Sequence, residues 1–478
     1  MRAGLPVPTI DGMRAEPQPA PYRPDPQIDS VAPWLGDPVA AADFPQTTLR
    51  FRNRRWDTAI GLAGLSDSAW LEHFGRFVPL ADNLPVPLAL RYHGHQFQVY
   101  NPDLGDGRGF LFAQLRDSAG RLLDLGTKGS GTTPWSRAGD GRLTLKGAVR
   151  EILATEMLEA LGANTSKTFS VVETGEELWR GDEPSPTRSA VLVRLSHGHI
   201  RFGSFQRLAA LEEDDHLAAL VDYALRLYPG PPPPDDAPGR DEPAAILLHQ
   251  AVARMADLAA SYMVAGFVHG VLNTDNMNIS GESFDYGPWR WLPQWDAGFT
   301  AAYFDHAGLY AFGRQPHAIR WNLMQLAIAL RRLTDSAPLI AALESFPDHF
   351  NAAMARRFCW RLGVASRGAE ADFALIAAAE RAMKAEAVGP DAFFFAHRGG
   401  RAAQGDLAAA LSGYEPAGDD HPLWSDAPPG LPIEEVEALW QPIAEHDDWQ
   451  PVHAKVAAIR TLGDALGEPP VPAGHLPV

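Results

Sequence analysis

The sequence predicts an α+β protein in which a small mixed lobe precedes a larger, mainly helical one. Three observations carry this expectation. Short strand-like runs cluster between residues 91 and 195, one amphipathic helix interrupts them at 143–162, and after about residue 205 the apolar spacing becomes helical. The chain has 478 residues, of which 46% are hydrophobic and 21% charged. That length allows roughly two to four domain-sized units and a substantial core.

In chain order, residues 1–45 are rich in Pro and Ala and read as an extended or partly disordered lead-in. Residues 46–90 carry apolar patches such as Phe74 to Leu80 and have room for a helix or two. Phe110 to Leu115 and Leu122 to Leu125 read as strands, and the turn Gly105-Asp-Gly-Arg-Gly109 feeds the first of them. Leu145, Val149, Ile152, Leu153, Met157, Leu158 and Leu161 recur mostly at three- and four-residue steps, which marks the helix at 143–162, and Gly162 stops it. Strand-like text resumes at Thr168 to Glu173 and Ala190 to Leu195.

Helices are expected at 206–228, 243–266, 317–333, 337–358 and 372–386. Between the first two, the proline run from Pro229 to Gly239 reads as a stiff exposed insertion. Residues 412–435 are rich in Pro and Asp, and 434–467 holds one or two closing helices. No internal repeat is visible. The chain divides into an N-terminal extension (1–85), a mixed lobe (86–205), a helical lobe (206–360) and a C-terminal helical extension (361–478).

The formal net charge is −18, which argues against a general nucleic-acid binder, because phosphate backbones demand Lys and Arg clusters. A small basic pocket for a nucleotide remains compatible with it. Cys359 is the only cysteine, so no internal disulfide and no multi-cysteine zinc site can form within one chain. The first 30 residues lack the apolar core of a secretory signal, and no apolar run reaches the roughly 18 residues of a membrane span. The expected location is the cytoplasm, with neither membrane nor nucleic acid as a partner.

The chemistry gathers in a few segments. Gly105 and Gly107 let backbone approach phosphate oxygens, and Arg108 beside them can pair with such oxygens; an ordinary hairpin turn is the plain alternative. Twenty residues past Arg108 stands Lys128, suited to phosphate as a point charge. A lysine in that role needs a helical carboxylate, and Glu151, Glu156 and Glu159 compete for it. Asp140-Gly141 precedes the helix, where Asp140 reads first as an N-terminal cap and second as a nucleotide contact. Arg194 and Arg201 lie where the two lobes should meet and suit a triphosphate clamp or surface ion pairs. His93, His95, His197 and His199 form two His-Gly-His pairs, better suited to structural or substrate-side roles than to zinc.

The strongest segment runs from His269 to Ser280, followed by Phe284-Asp285-Tyr-Gly287. Protein kinases carry His-Arg-Asp, an Asn five residues beyond the Asp, and then Asp-Phe-Gly. Asn276 lies seven residues after His269 and Asp285-Tyr-Gly imitates Asp-Phe-Gly, so Asn276 and Asp285 offer hard oxygen ligands for Mg²⁺. Val271 stands where the kinase aspartate belongs, and Asp275 is the nearby carboxylate. This reads as a protein-kinase-like two-lobed fold with displaced chemistry. Three functions remain open on these residues: nucleotidyl transfer, ordinary phosphoryl transfer, and a nucleotide-binding pseudokinase scaffold without catalysis.

Several long strings, in order, resemble the selenoprotein O family of protein adenylyltransferases. They are Tyr92-His-Gly-His-Gln-Phe97, Leu104-Gly-Asp-Gly-Arg108, Lys128-Gly-Ser-Gly-Thr-Thr-Pro-Trp-Ser-Arg137, Gly139-Asp-Gly-Arg142, Arg150-Glu151, Arg201-Phe-Gly203, His269 to Met277 and Phe284-Asp-Tyr-Gly-Pro288. They span residues 85–330 approximately. The resemblance implies a pseudokinase fold that binds ATP in reversed orientation, with Mg²⁺ or Mn²⁺, and moves AMP to Ser, Thr or Tyr hydroxyls of proteins. It implies nucleotide contacts at Gly105, Gly107, Arg108, Lys128, Asp140, Gly141, Arg194 and Arg201, with Glu151 partnering Lys128. Asp275 becomes the general base, and Asn276 and Asp285 the metal ligands. Some members carry a redox-linked Cys near the C-terminus; the last ten residues here hold none, so a thiol switch is not expected.

Overall fold

A computed structural model describes residues 20–181, 183–417 and 421–470. It is an α+β structure built on one eight-stranded sheet. The order along the sheet is Gly36–Pro38, Leu88–Leu90, Leu111–Arg116, Leu122–Lys128, Thr187–Ser196, Lys167–Leu178 and Thr48–Arg52. The short strand Leu143–Thr144 also pairs with Thr187–Ser196. Every pairing is antiparallel.

Both faces of this sheet are buried, and the side chains alternate accordingly. Ala190 and Leu192 face one core with the helix Leu145–Ala160, while Val191, Val193 and Leu195 face an aromatic core with Trp70, Phe74, Phe112 and Phe169. The helices Arg54–Ala59 and Asp67–Phe74 supply that second layer. Residues 20–45 correct the expectation of an extended lead-in. They contain a 3₁₀ turn at Gln27–Ser30, a short helix at Ala32–Leu35 and the edge strand, and Ile28, Val31 and Leu35 are buried in the main core. Three apolar anchors at near-helical spacing outweigh the proline content there. The remainder of the expected lead-in, 1–19, lies outside the described residues.

The helix Leu145–Ala160 begins where Thr144 Oγ1 accepts the Gly147 N–H at 3.1 Å. The cap is therefore Thr144 and not Asp140, whose carboxylate accepts the Arg142 N–H in the preceding turn. Thr144 has extended backbone angles and a hydroxyl in reach, which is what a cap requires. The helix is buried almost all round. The sheet covers one side, and the closing helix Gln450–Leu466 covers another, with Arg460 forking onto Glu156 at 2.6 and 2.8 Å.

The helical half centres on Pro243–Ala265, buried along nearly its whole length and ended by Gly266 at φ +68°. Gln315–Leu330, Ser336–Glu344 and Phe346–Leu362 pack around it. Two expected helices are each split. The stretch 206–228 becomes Phe202–Ala210 and Asp214–Leu227, because Glu212 takes φ +57° and breaks the ladder. The stretch 337–358 becomes two helices meeting at Ser345, where Pro347 lacks the N–H to continue the ladder. Beyond them come Ala369–Glu386, Pro390–Ala396, Gly405–Leu411, Ile433–His446 and Gln450–Leu466. No helix among the described residues is long and apolar enough to cross a membrane.

Candidate active site

Sheet register brings the first two cations together. Lys128 ends its strand opposite Leu192, and Gly126 lies opposite Arg194. Residues two apart share a face, so Lys128 and Arg194 project from the face against the helix Leu145–Ala160. There the Lys128 ammonium forms a short buried ion pair with Glu151, and Arg194 Nη2 stands 3.8 Å from the same Glu151 oxygen. The competing carboxylates are held elsewhere. Glu156 belongs to Arg460, and Glu159 to Arg55 at 2.5 Å and Lys167 at 3.5 Å.

Asp285 completes the cluster from the other half of the molecule. Its Oδ1 lies 2.9 Å from Lys128 Nζ and 3.3 Å from Arg194 Nη2. Burial pushes its carboxyl up, but the charges of Lys128, Arg194, Arg108 and Arg201 prevail and hold it well below the usual carboxylate range. Asp285 is thus ionised, as a cation ligand must be. It sits at φ +61°, an uncommon conformation for a residue with a side chain, at the start of Asp285-Tyr-Gly.

Asp275 lies on the 3₁₀ turn Thr274–Asn276 and is buried. Burial raises its pKa to about 6; the Arg201 charge and a hydrogen bond from Gln96 pull the other way. Its Oδ1 is buried without a hydrogen-bond partner among the described residues. A carboxylate with a free oxygen and a pKa near neutrality suits general-base work. Beside it, Asn276 donates from Nδ2 to Val271 O at 2.9 Å, and its amide oxygen makes no hydrogen bond among the described residues. His269 does not enter the cleft. Its Nδ1 accepts the Val271 N–H at 3.4 Å and its Nε2 reaches Phe284 O at 3.1 Å, so the ring is neutral and ties two loops together.

These groups surround a cleft of about 420 Å³, within the range of small-molecule sites. Gly105, Gly107, Arg108, Lys128, Asp140, Gly141, Arg194, Arg201, Asp275 and Asp285 all line it, whereas Glu151 and Asn276 are not among its lining residues. In a chain of net charge −18 the cleft is cationic. Most of its cations are already paired, yet Arg108 and Arg137 have no ion-pair partner among the described residues. Arg201 is the most constrained. It donates to Asp275 O at 2.8 Å and to Asp106 Oδ1 at 3.0 Å, and its guanidinium lies over the rings of Tyr92 and Phe284.

The glycine loop has a second reason for its glycines. A Cβ at Gly105 would stand 2.3 Å from the Trp135 ring, and one at Gly141, which has φ +69°, would stand 2.2 Å from Gly131 backbone. The segment 133–137 straps the loop down, with Thr133 Oγ1 donating to Asp106 O at 2.6 Å and Ser136 Oγ to Gly107 O at 2.5 Å. Trp135 Nε1 anchors the strap to Asp37 at 2.9 Å. Tyr92, Gln96, Asp106, Trp135, Arg137 and Arg180 also line the cleft, though residue type alone does not single them out. Asp106, enclosed between two glycines, was the visible clue. Arg180, which pairs with Asp140 at 2.8 Å, carried no local signal.

Three of the four His-Gly-His rings are hydrogen-bonded into the fold, while His197 Nδ1 is buried without a partner among the described residues. His93 Nδ1 meets Tyr100 OH at 2.5 Å, His95 Nδ1 meets Gln206 Nε2 at 2.9 Å, and His199 Nδ1 meets Asp124 Oδ2 at 3.2 Å. Cys359 is buried and unpaired.

An α+β fold with a cation-walled cleft and a buried carboxylate at its edge is the equipment of an enzyme that transfers phosphoryl or nucleotidyl groups. Comparison with known proteins narrows the class. The family model described as protein adenylyltransferase SelO matches residues 22–410. The protein nucleotidyltransferase YdiU of Synechococcus elongatus is 42% identical over 482 residues, covering 93% of this chain and 96% of that protein. Its namesake from Gloeobacter violaceus is 43% identical over 468 residues, covering 91% and 94%. The Synechocystis protein of the same name is 48% identical over 345 residues, covering 72% and 71%. The chain belongs to the SelO family of protein adenylyltransferases, enzymes that use ATP to place a nucleotidyl group on proteins. The similarity extends well beyond the motif-bearing stretch 85–330.

Proposed function

We propose that this chain transfers AMP from ATP to a Ser, Thr or Tyr hydroxyl of a protein acceptor. The observation that carries this reading is the displaced base. Val271 occupies the position of the kinase aspartate, while Asp275, with a pKa near 6 and a free Oδ1, borders a cationic cleft. On this reading the fold is protein-kinase-like, with lobes at 86–205 and 206–360 flanked by extensions at 1–85 and 361–478. Its location is the cytoplasm.

In the proposed reaction, Gly105, Gly107, Arg108, Lys128, Asp140, Gly141, Arg194 and Arg201 grip the nucleotide. Glu151 orients Lys128 through their buried pair. Arg108, Lys128 and Arg194 hold the β- and γ-phosphates and stabilise charge as pyrophosphate departs. The acceptor hydroxyl oxygen forms a bond to the α-phosphorus. The bond from that phosphorus to the bridging oxygen breaks, and its electron pair leaves with pyrophosphate. Asp275 takes the hydroxyl proton.

A divalent cation fits the donor set. Asp285 is ionised and Asn276 has a free amide oxygen, both hard ligands suited to Mg²⁺ or Mn²⁺ held jointly with phosphate oxygens and water. When bound, the cation neutralises triphosphate charge. Mass spectrometry of a protein acceptor after incubation with ATP tests the reading. A mass gain of AMP is expected; a gain of one phosphoryl group makes the chain a kinase, and no gain makes it a scaffold.

A further inference from the structure

The hairpin formed by Gly94–Gln96 and Val99–Asn101 stands apart from the main sheet as its own two-stranded ribbon. Its register sets His95 against Tyr100 and Gln96 against Val99. The two tip residues, Phe97 and Gln98, have φ +49° and +63°. A two-residue turn with both residues at positive φ is normally built from Gly, Asn or Asp. Phe97 in that conformation is strained, so neighbouring groups must hold it.

The turn carrying Asp275 does the holding. His95 N–H donates to Thr274 Oγ1 at 2.7 Å, and Phe97 N–H donates to Asn273 Oδ1 at 3.0 Å. Asn273 Oδ1 also accepts Tyr310 OH at 2.6 Å. A Cβ at Gly94 would stand 3.3 Å from Asp275 Cβ, so the strand runs directly beside the base. Gln96 lines the cleft together with Asp275. Directly opposed residues of an antiparallel pair share a face, so Val99 lies on the Gln96 face.

The outer surface of this ribbon is apolar and open. Val99, on the Gln96 face, is 70% exposed, whereas Tyr100 lies on the opposite face against His93 and His95. Tyr303 is 81% and Phe304 42% exposed, and the Phe304 ring packs 5.8 Å from Phe97. Residues 94–101 hold no Asp, Glu, Lys or Arg, in contrast with the arginines on the nucleotide side of Asp275. Exposed apolar surface next to a reacting group marks where a partner lies rather than where solvent does.

We propose that the 94–101 hairpin and Tyr303–Phe304 form the shelf on which a protein acceptor lays an extended segment, with apolar side chains flanking the hydroxyl residue that reaches Asp275. This rests on the AMP-transfer reading above. The neutral shelf receives the acceptor chain, and the cationic cleft behind Asp275 receives the nucleotide.

The test uses the full chain, ATP labelled at the α-phosphate, and two synthetic peptides that differ only beside one Ser: Gly-Leu-Val-Ser-Phe-Gly-Lys and Gly-Asp-Gly-Ser-Asp-Gly-Lys. The variants are Val99→Asp, Phe304→Asp and Tyr303→Asp, all at exposed positions away from the nucleotide contacts. The wild type is expected to favour the apolar peptide by about tenfold or more in kcat/KM. Each variant is expected to raise KM for that peptide by about tenfold while leaving the ATP Kd unchanged. Equal use of the two peptides by the wild type, or variants with unchanged KM, would overturn the shelf while leaving AMP transfer standing. A wild type that releases α-labelled AMP to no peptide and to no protein acceptor overturns the underlying reading and the shelf with it. Variants that convert a dimer to a monomer in sedimentation without changing KM would assign this surface to a second copy of the chain and reject the acceptor.

Discussion

Arg201 donates from Nη1 to the backbone carbonyl of Asp275 at 2.8 Å, while Nη2 of the same guanidinium donates to Asp106 Oδ1 at 3.0 Å. One planar fork therefore joins the glycine loop to the turn that carries Asp275. Lysine keeps the charge but lacks the planar fork whose two nitrogens reach both acceptors. Arg201→Lys is expected to lower kcat by about 100-fold through misplacement of Asp275, with an unchanged circular-dichroism spectrum. A kcat within a few-fold of the wild type would remove Arg201 from this positioning role.

Lys128 and Glu151 make a buried pair, and removing one partner strands the other. Lys128→Met is expected to lower stability by about 3–5 kcal/mol, softened by Arg194 at 3.8 Å from Glu151. The double variant Lys128→Met/Glu151→Gln is expected to recover most of that stability and none of the activity. Denaturant melts of the three proteins check it. Equal stability of the single and double variants would show that Glu151 is not left uncompensated.

Asp275 has a pKa raised to about 6 against an ordinary 3.8. A carboxyl raised on folding binds its proton more tightly in the native state. Stability from this group therefore grows as pH falls from above 6 toward the unfolded value, and its ionised form destabilises the protein at neutral pH. In the ligand-free protein, Asp275→Asn is expected to gain up to about 3 kcal/mol at pH 7, with no gain near pH 4. Transfer by the wild type should fall as pH drops through about 6, as the base takes up its proton. Melts and rates across pH 4–8 read both effects.

The C-terminal helix reaches back to the helix that carries Glu151. Arg460 forks onto Glu156, one and a half turns beyond Glu151, and its Nη2 also lies 3.3 Å from Asn53 Oδ1. Arg460→Ala leaves Glu156 buried with only the Asn53 amide as partner. The side chain of Arg460 is partly exposed, so screening moderates the loss, which is expected at about 1–3 kcal/mol. Differential scanning calorimetry checks it; an unchanged Tm would mean that 450–466 does not brace the active-site helix.

Much of the site was legible because its segments are local. The helix at Leu145–Ala160 and the strands bearing Lys128 and Arg194 follow from apolar periodicity, and the order His269, Asp275, Asn276, Asp285 follows from spacing. Long-range partners were not legible. Spacing offered Glu151, Glu156 and Glu159 equally; only Arg460, 304 residues away from Glu156, and Arg55 separate them in space. Asp140 resembled a cap because it is an Asp near a helix start, but Thr144 stands nearer the first turn. The break at Glu212 has no glycine or proline to announce it. Tyr92 to Phe97 read as a motif without a shape, since the hairpin at 94–101 depends on Asn273 and Thr274 far along the chain.

The central claim is that the α-phosphorus is attacked and that Asp275 takes the proton. The most direct measurement gives the enzyme ATP labelled at either the α or the γ position, with a protein acceptor, and follows label into protein for the wild type and for Asp275→Ala. Label is expected to enter only from the α position and only with Asp275 present. Label entering from the γ position, or undiminished α transfer by Asp275→Ala, would contradict it.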